Sequence, residues 1–473
     1  MPWRYACKFV RKIRLVRRQD KICHCSRKGV TADTLSIGHV DSSPDVVVIG
    51  AGVMGCSIAF DLSRAGFRVQ VIDKGPAAGA GSTSSSSAIV RFHYSTLDAV
   101  ITAWESKHLW ESWGDLVGHG DESGLARFHK TGALILGFSD QEAARMADLF
   151  KEVGVTYEHL DSDALTRRYP AMDFGRYGPP RAIDDERFWA DASGRLDAYL
   201  TPEAGFVDDP QLAAHNLMVA ARERGARFTF GGEVTAVRQH HGRVGGVALS
   251  DGSTLSARVV VNAAGPFSSQ VNALAGVLGD FATLTTRPLR QEVHVLPGPS
   301  GFRLGDGGVV VNDSDLGTYF RPQPSRTILV GGLEPACDPL TWVDDPDRFD
   351  PNPSANVWEA QTYRVARRVP GVGVPARPGG LAALYDVTPD WVPIYDRTSL
   401  EGFFVAIGTS GNQFKNAPMV GRFLSALIDA CEGGHDHDSH PVRVRCELTG
   451  NEVNLGHYSR LRRPAGTTLS VLG

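Results

Sequence analysis

One stretch limits what this chain can fold into more than any other: SSPDVVVIGAGVMGCSIAFDLSRAGFRVQVIDKG, residues 42–75. Val46–Ile49 is a short, all-apolar, β-branched run, as a buried parallel strand requires. Gly50, Gly52 and Gly55 follow it, with Met54 inside the turn. A helical pattern then places Ile58, Ala59 and Leu62 on one face and closes at Gly66. Arg68–Ile72 alternates into a second strand that ends at Asp73, next to Lys74 and 18 residues past the third glycine. Strand, glycine turn, helix, strand and acid in this order predict a dinucleotide-binding βαβ unit. The glycines let the backbone approach a pyrophosphate at the positive end of the helix, and Asp73 can accept hydrogen bonds from a ribose.

Further along, GPAAGAGSTSSSSAIVRFHYS (75–95) contains Gly81, Ser82 and Thr83. Glycine and serine over this length read either as a flexible linker or as a loop offering N–H and hydroxyl groups to a ligand. Its place directly after the nucleotide unit favours the ligand. In GFVDDPQLAAHNLMVAARERGARF (205–228), Asp209 is an N-cap, Pro210 opens a helix and Gly225 ends it. SARVVVNAAGPFSS (256–269) is an apolar strand running into Ala263, Ala264 and Gly265, residues small enough to let backbone lie against a cofactor. Residues 383–430 read as loop, strand, glycine turn and helix, with Pro418 in the first helical turn.

The bulk numbers bound the rest. A length of 473 residues allows two or three domains at about 150 residues each. No run approaches the roughly 18 apolar residues of a membrane-spanning helix. The net charge of −4 divides unevenly: residues 1–28 carry ten Lys/Arg against Asp20 alone, leaving the body strongly acidic. An acidic body argues against nucleic-acid binding. Seven cysteines form no disulfide framework, which places the chain in a reducing compartment, the cytoplasm. Cys23–Cys25 (CHC) lacks a second ligand pair, so no metal is expected there. The run HDHDSH, with His435, His437 and His440, reads as a solvated tail. The basic prefix 1–42 has no apolar stretch after its arginines, so it is not a secretory signal. It suits an organelle transit segment, a membrane-surface arm or an upstream extension from a misassigned start codon; its lysine-rich composition, unlike that of the body, favours the last, outside the fold.

Lys415, in TSGNQFKNAP, is the one lysine after residue 151, against 29 arginines. An arginine-biased chain keeps an occasional lysine by chance. A site needing a compact ammonium on a flexible stem would keep one for a reason.

Four motifs together resemble the D-amino-acid oxidase superfamily of FAD enzymes, in its sarcosine oxidase and glycine oxidase branch. They are the glycine turn with Asp73, GSTSSSSAIVR, VVVNAAGPF, and LYDVTPDWVPI…GTSGNQFKNAPMVG, in order over residues 45–430. The resemblance implies an α/β fold: a Rossmann-type FAD-binding domain from 43–135, 205–270 and 380–432, interwoven with an α+β substrate domain from 136–204 and 271–379. That second domain would be built on a large, mainly antiparallel sheet, and 433–473 would be a C-terminal tail. It implies flavin contacts from Gly50, Gly52, Met54, Gly55, Asp73, Lys74, Gly81, Ser82, Thr83, Val234, Ala264, Gly265, Gly408, Gly411, Asn412, Gln413, Phe414 and Lys415. It also implies that Arg91 and Lys415 clamp a substrate carboxylate, with Tyr385 and Tyr319 as active-site tyrosines. His93 would share Arg91's side of an extended segment, although a surface histidine is the simpler reading.

Two departures qualify the resemblance. Ala383 stands where sarcosine oxidases carry the cysteine that binds their flavin, and GSTSSSS offers no histidine, so FAD is expected to be non-covalent. No lysine occurs between 152 and 414, so the strand SRTILVGG lacks the cation that helps dioxygen accept an electron. The expectation is an FAD-dependent oxidoreductase that oxidises the C–N bond of an amino acid or N-methyl amino acid, more a dehydrogenase than an oxidase. It would pass electrons to an acceptor protein or quinone. The alternatives are an FAD enzyme for another small carboxylate such as a hydroxy acid, and a non-catalytic FAD-binding assembly factor.

Overall fold

In the computed structural model, residues 43–467 and 470–472 are described. The basic prefix and its CHC run lie outside them. The first structural layer is a six-stranded sheet in the order Ile394–Arg397, Phe403–Ile407, Val259–Asn262, Val46–Ile49, Val69–Asp73 and Arg227–Phe230. All neighbours are parallel except the first pair. Parallel strands need crossovers, and the helix Val53–Arg64 supplies the one between Val46–Ile49 and Val69–Asp73. Val46 and Val48 belong to one apolar cluster and Val47 and Ile49 to another, so both faces of this strand are covered. That double burial is why the run reads as continuous valine and isoleucine rather than as alternation. The helix packs against Pro210–Glu223 and Ala417–Glu432. A Cβ on Gly421 would meet Ser57 O at 2.3 Å, so glycine is what lets the last of these helices come so close. Asp209 caps Pro210–Glu223 by accepting from Leu212 N, as the sequence predicts.

The second layer is a nine-stranded sheet. It runs Thr341–Trp342, Arg287–Pro297, Thr327–Gly332, Thr318–Pro322, Val310–Asp313, Ala133–Leu136, Ala198–Thr201 and Glu158–Leu160. Gly380–Val387 pairs with Arg287–Pro297 as the ninth strand. One pairing is parallel and the others antiparallel, so this is the large, mainly antiparallel sheet. The helix Ala355–Arg368 covers one face of it.

The strands of the six-stranded sheet come from residues 43–135, 205–270 and 380–432, while Ala133–Leu136 and Gly380–Val387 pass from those pieces into the large sheet. Residues after 432 are not a solvated tail. Cys446, Val453, Leu455 and Tyr458 are buried in the main core. His437 is 1 % exposed, with Nε2 3.5 Å from Asp396 Oδ1. The apolar residues here are too sparse to form a periodic pattern. Long-range ion pairs, Arg460 with Asp396 and Arg462 with Asp390, hold the segment instead.

Candidate active site

A cavity of about 660 Å³ lies where the two sheets meet, in the size range of cofactor and substrate clefts. Gly50, Gly52, Met54 and Asp73 line it from the first βαβ unit. Gly50 has φ +105°, and a Cβ there would sit 2.4 Å from Ala263 O, so the turn accepts no side chain. The helix that follows presents its N-terminus to the cavity. Thr83 Oγ1 accepts the Val53 N–H at 3.0 Å, which ties the serine-rich loop to that helix end. Asp73 accepts from Ala51 N and Gly75 N, both at 2.6 Å, so its carboxylate is fixed at the mouth of the turn. Gly81 and Ser82 line the wall, with Ser82 Oγ donating to Leu384 O at 2.7 Å. The loop is therefore part of the cavity wall rather than a free linker.

Lys74, Val234, Ala264, Gly265, Gly411, Asn412, Gln413, Phe414 and Lys415 complete the predicted lining. Lys74 Nζ lies 3.6 Å from the centre of the Phe267 ring and pairs with Asp347 at 2.6 Å. Two predicted cofactor residues are not on the wall. Gly55 packs onto the turn, where a Cβ would meet Gly50 O at 1.8 Å. Gly408 has φ +67° and faces Thr388, donating its N–H to Asp386. Both are glycines for close packing rather than for ligand approach. Glycine turn, helix terminus, fixed acid and hydroxyl-rich loop fit FAD, and no cysteine or histidine among the described residues lines the cavity.

The cationic pair lines the same cleft. Arg91 is 3 % exposed, with Nη1 donating to His93 O at 2.5 Å and Nη2 to Val471 O at 2.6 Å. Lys415 is also 3 % exposed, with Nζ donating to Tyr94 OH at 2.8 Å and Asn412 O at 2.6 Å. The two cations flank the Tyr94 ring, 4.8 and 5.0 Å from its centre. Burial, reinforced by Arg91, pulls the Lys415 ammonium well below the usual lysine range. Among the described residues neither cation has an acid against it. Trp110 fixes the turn, stacking on Phe414 and donating from Nε1 to Lys415 O at 2.7 Å.

Tyr319 and Tyr385 both line the cavity and are electrostatically coupled. Burial raises both phenols, so they stay protonated at neutral pH. Ser87 Oγ meets Tyr319 OH at 2.6 Å. His93 is a buried residue, not a surface one: it is 4 % exposed and neither ring nitrogen has a partner among the described residues. Burial and then its two cationic neighbours keep it neutral. Four contributing residues went unread in the sequence. They are Tyr94, which carries the Lys415 contact; Asn312, whose buried Nδ2 has no partner; and Val471 with Leu472, which reach the cavity from the far end of the chain. Only Tyr94, next to the Arg91 motif, left a local signal.

Residues 45–427 match the family model described as FAD dependent oxidoreductase. The FAD-dependent oxidoreductase domain-containing protein 1 of Xenopus laevis is 25 % identical over 415 residues, spanning 81 % of this chain and 79 % of that protein. Glycine oxidase of Geobacillus kaustophilus is 23 % identical over 401 residues, spanning 83 % and 94 %. Among solved structures, L-proline dehydrogenase from P. horikoshii superposes with a TM-score of 0.67 at 22 % identity, covering 83 % of this chain and 94 % of that one.

Proposed function

From the premise that the chain belongs to the FAD dependent oxidoreductase family, we propose that it oxidises the C–N bond of an amino acid or N-methyl amino acid. The observation that carries this reading is the pair Arg91 and Lys415: two buried cations in the cavity of the glycine turn, bonded, among the described residues, only to neutral groups. A buried charge without a counter-charge is unfavourable. A carboxylate is the small anion that satisfies a guanidinium fork and an ammonium together. FAD, when bound, supplies the two-electron acceptor for the carbon next to nitrogen. The six-stranded sheet carries the residues that would hold it, and the nine-stranded sheet carries Tyr319 and Tyr385 on the cavity wall.

The protein's own part is orientation. Arg91 and Lys415 hold the carboxylate, and an anion between them favours the ammonium form of Lys415. Tyr319 and Tyr385 offer neutral hydroxyls to the amine side. The product imine then hydrolyses to a keto acid or aldehyde plus an amine. Among the described residues the only lysines on the cavity wall are Lys74, paired with Asp347, and Lys415, and the strand Thr327–Gly332 has none. The reading is therefore a dehydrogenase whose electrons go to an acceptor other than dioxygen. Glycine oxidase among the relatives supports an amino-acid substrate. The test is reduction of an artificial dye acceptor by a panel of amino acids, N-methyl amino acids and hydroxy acids. Turnover with amines, releasing ammonia or methylamine, is expected. Turnover with hydroxy acids alone would replace this reading, and no turnover with any member would favour a non-catalytic flavoprotein.

A further inference from the structure

Beside the carboxylate clamp stands an acidic side chain that the proposed function leaves unused. Glu334 follows the strand Thr327–Gly332 and has φ +50°, a conformation that non-glycine residues rarely hold without a local reason. Its Oε2 accepts the Val471 N–H at 2.8 Å, and its buried Oε1 has no partner among the described residues. Burial pushes this carboxyl up to about 8, with the nearby acid Asp338 adding to the rise, and the neutral phenols of Tyr319 and Tyr385 lie close by.

The residue that holds Glu334 is the one that holds Arg91. Val471 gives its N–H to Glu334 and its carbonyl oxygen to Arg91 Nη2 at 2.6 Å. The acid and the guanidinium are thus separated by the span of a single amino acid, from its nitrogen to its carboxyl oxygen. The Val471 side chain joins an apolar cluster with Tyr319, Leu333, Trp391 and Leu472, against which Tyr385 packs. Upstream, the chain is fastened to Asp390, which accepts from Arg462 and Ala465 N and whose carbonyl accepts from Thr467 Oγ1.

We propose that Val471 stands in the place of the substrate: Arg91 with Lys415 takes the carboxylate, Glu334 takes the amine, and the apolar cluster takes the side chain. The site therefore reads an apolar α-amino acid, once residues 470–472 withdraw. This rests on the carboxylate clamp of the proposed function and adds the amine end to it. A free amino acid outbids the segment in bond strength. Its carboxylate bonds a guanidinium more strongly than a peptide carbonyl does, and its second oxygen reaches Lys415. The segment competes through its covalent attachment, which keeps it locally concentrated. The apparent affinity for substrate is then the intrinsic one reduced by the fraction of molecules with the segment out.

The experiment is anaerobic titration of the full-length holoenzyme, read by flavin absorbance. The probes are L-valine and 3-methylbutanoate, which has the same carbon skeleton without the amine. Glu334→Gln is expected to weaken L-valine by about ten- to a hundred-fold, the loss of one charge-assisted bond, and to leave 3-methylbutanoate unchanged. Val471→Gly, which removes the segment's anchor, is expected to tighten both probes several-fold. Equal effects of Glu334→Gln on the two probes, or none, overturn the role of Glu334. Unchanged or weaker binding in Val471→Gly overturns the stand-in, and that arm remains if Glu334→Gln fails to fold. Failure of the clamp itself reads differently: Arg91→Met would leave 3-methylbutanoate binding intact.

Discussion

Lys415→Met separates a ligand-binding lysine from a structural one, because the two roles move stability in opposite directions. In the ligand-free protein Lys415 Nζ donates to Tyr94 OH and Asn412 O, at 2.8 and 2.6 Å. Removing it strands neither acceptor. Asn412 O still receives the Tyr94 hydroxyl at 2.7 Å, and Tyr94 OH retains that bond as donor. What is lost is a desolvated ammonium facing Arg91 with no acid against it. Methionine fills nearly the same volume without the charge, so the thermal midpoint without ligand should be unchanged or higher. Affinity should move the other way. One charge-assisted hydrogen bond to a carboxylate contributes about 1.5–3 kcal/mol, or roughly ten- to a hundred-fold in Kd for a small carboxylate such as acetate. KM for the amine should rise, or kcat/KM fall if the substrate carbon is misplaced. FAD content should stay normal, since the pyrophosphate cradle is built by Gly50, Gly52 and the helix that follows rather than by Lys415. Lys415→Arg should not rescue fully, because a planar fork needs more room than an ammonium. Calorimetry with and without acetate, together with steady-state kinetics, reads both quantities. A clear drop in the thermal midpoint with carboxylate inhibition intact would refute the reasoning and make Lys415 a packing residue.

Three further outcomes follow from the geometry. Gly50→Ala places a Cβ 2.4 Å from Ala263 O at φ +105°; strain of about 1–3 kcal/mol should be relieved by opening the turn, so FAD per protein by absorbance should fall sharply, and full occupancy would contradict the cradle. Acid precipitation should leave a white pellet and all the yellow colour in the supernatant, because Ala383 and the rest of the cavity wall offer no cysteine or histidine for attachment; a yellow pellet would end that expectation. Burial pushes Asp386 up to about 7, so the folded state keeps a proton that the unfolded chain releases near 3.8, and this group's contribution to stability is lost as pH rises through that window. Asp386→Asn, which still accepts from Ser268 or Gly408 N, should flatten the stability profile between pH 5 and 7.5 in paired denaturation curves; an unchanged slope would show that Asp386 is not the group.

The nucleotide half of the site is legible in the sequence because its physics is local. A buried parallel strand must be apolar, the turn after it must lack side chains, and the acid must follow the second strand. Val46–Ile49, Gly50 and Asp73 therefore carry their roles in their spacing. Arg91 and Lys415 are legible only through a resemblance, since 324 positions separate them and their meeting around Tyr94 depends on the whole fold. Gly55 and Gly408 show the limit of reading glycines. A glycine that admits a neighbouring turn or a threonine methyl looks the same in sequence as one that admits a ligand. His93 was misread because a polar residue in an extended segment is ordinarily exposed, and nothing local says that a sheet and a helix will close over it. The segment beyond residue 432 is the largest omission. It has no periodicity, and its placement is set by arginine–aspartate pairs such as Arg462 with Asp390 and by an end that reaches Glu334 and Arg91 across the cavity.

The central claim is that a carboxylate-bearing amine is held by Arg91 and Lys415 so that its C–N bond is oxidised by the bound FAD. Anaerobic mixing of the holoenzyme with single amino acids and N-methyl amino acids, followed by flavin absorbance in a stopped-flow instrument, tests it most directly. Bleaching of the oxidised band by at least one such amine is predicted, slowed or abolished in Arg91→Met at the same substrate concentration. A flavin that remains oxidised with every carboxylate-bearing amine, or one that bleaches equally well in Arg91→Met, would contradict it.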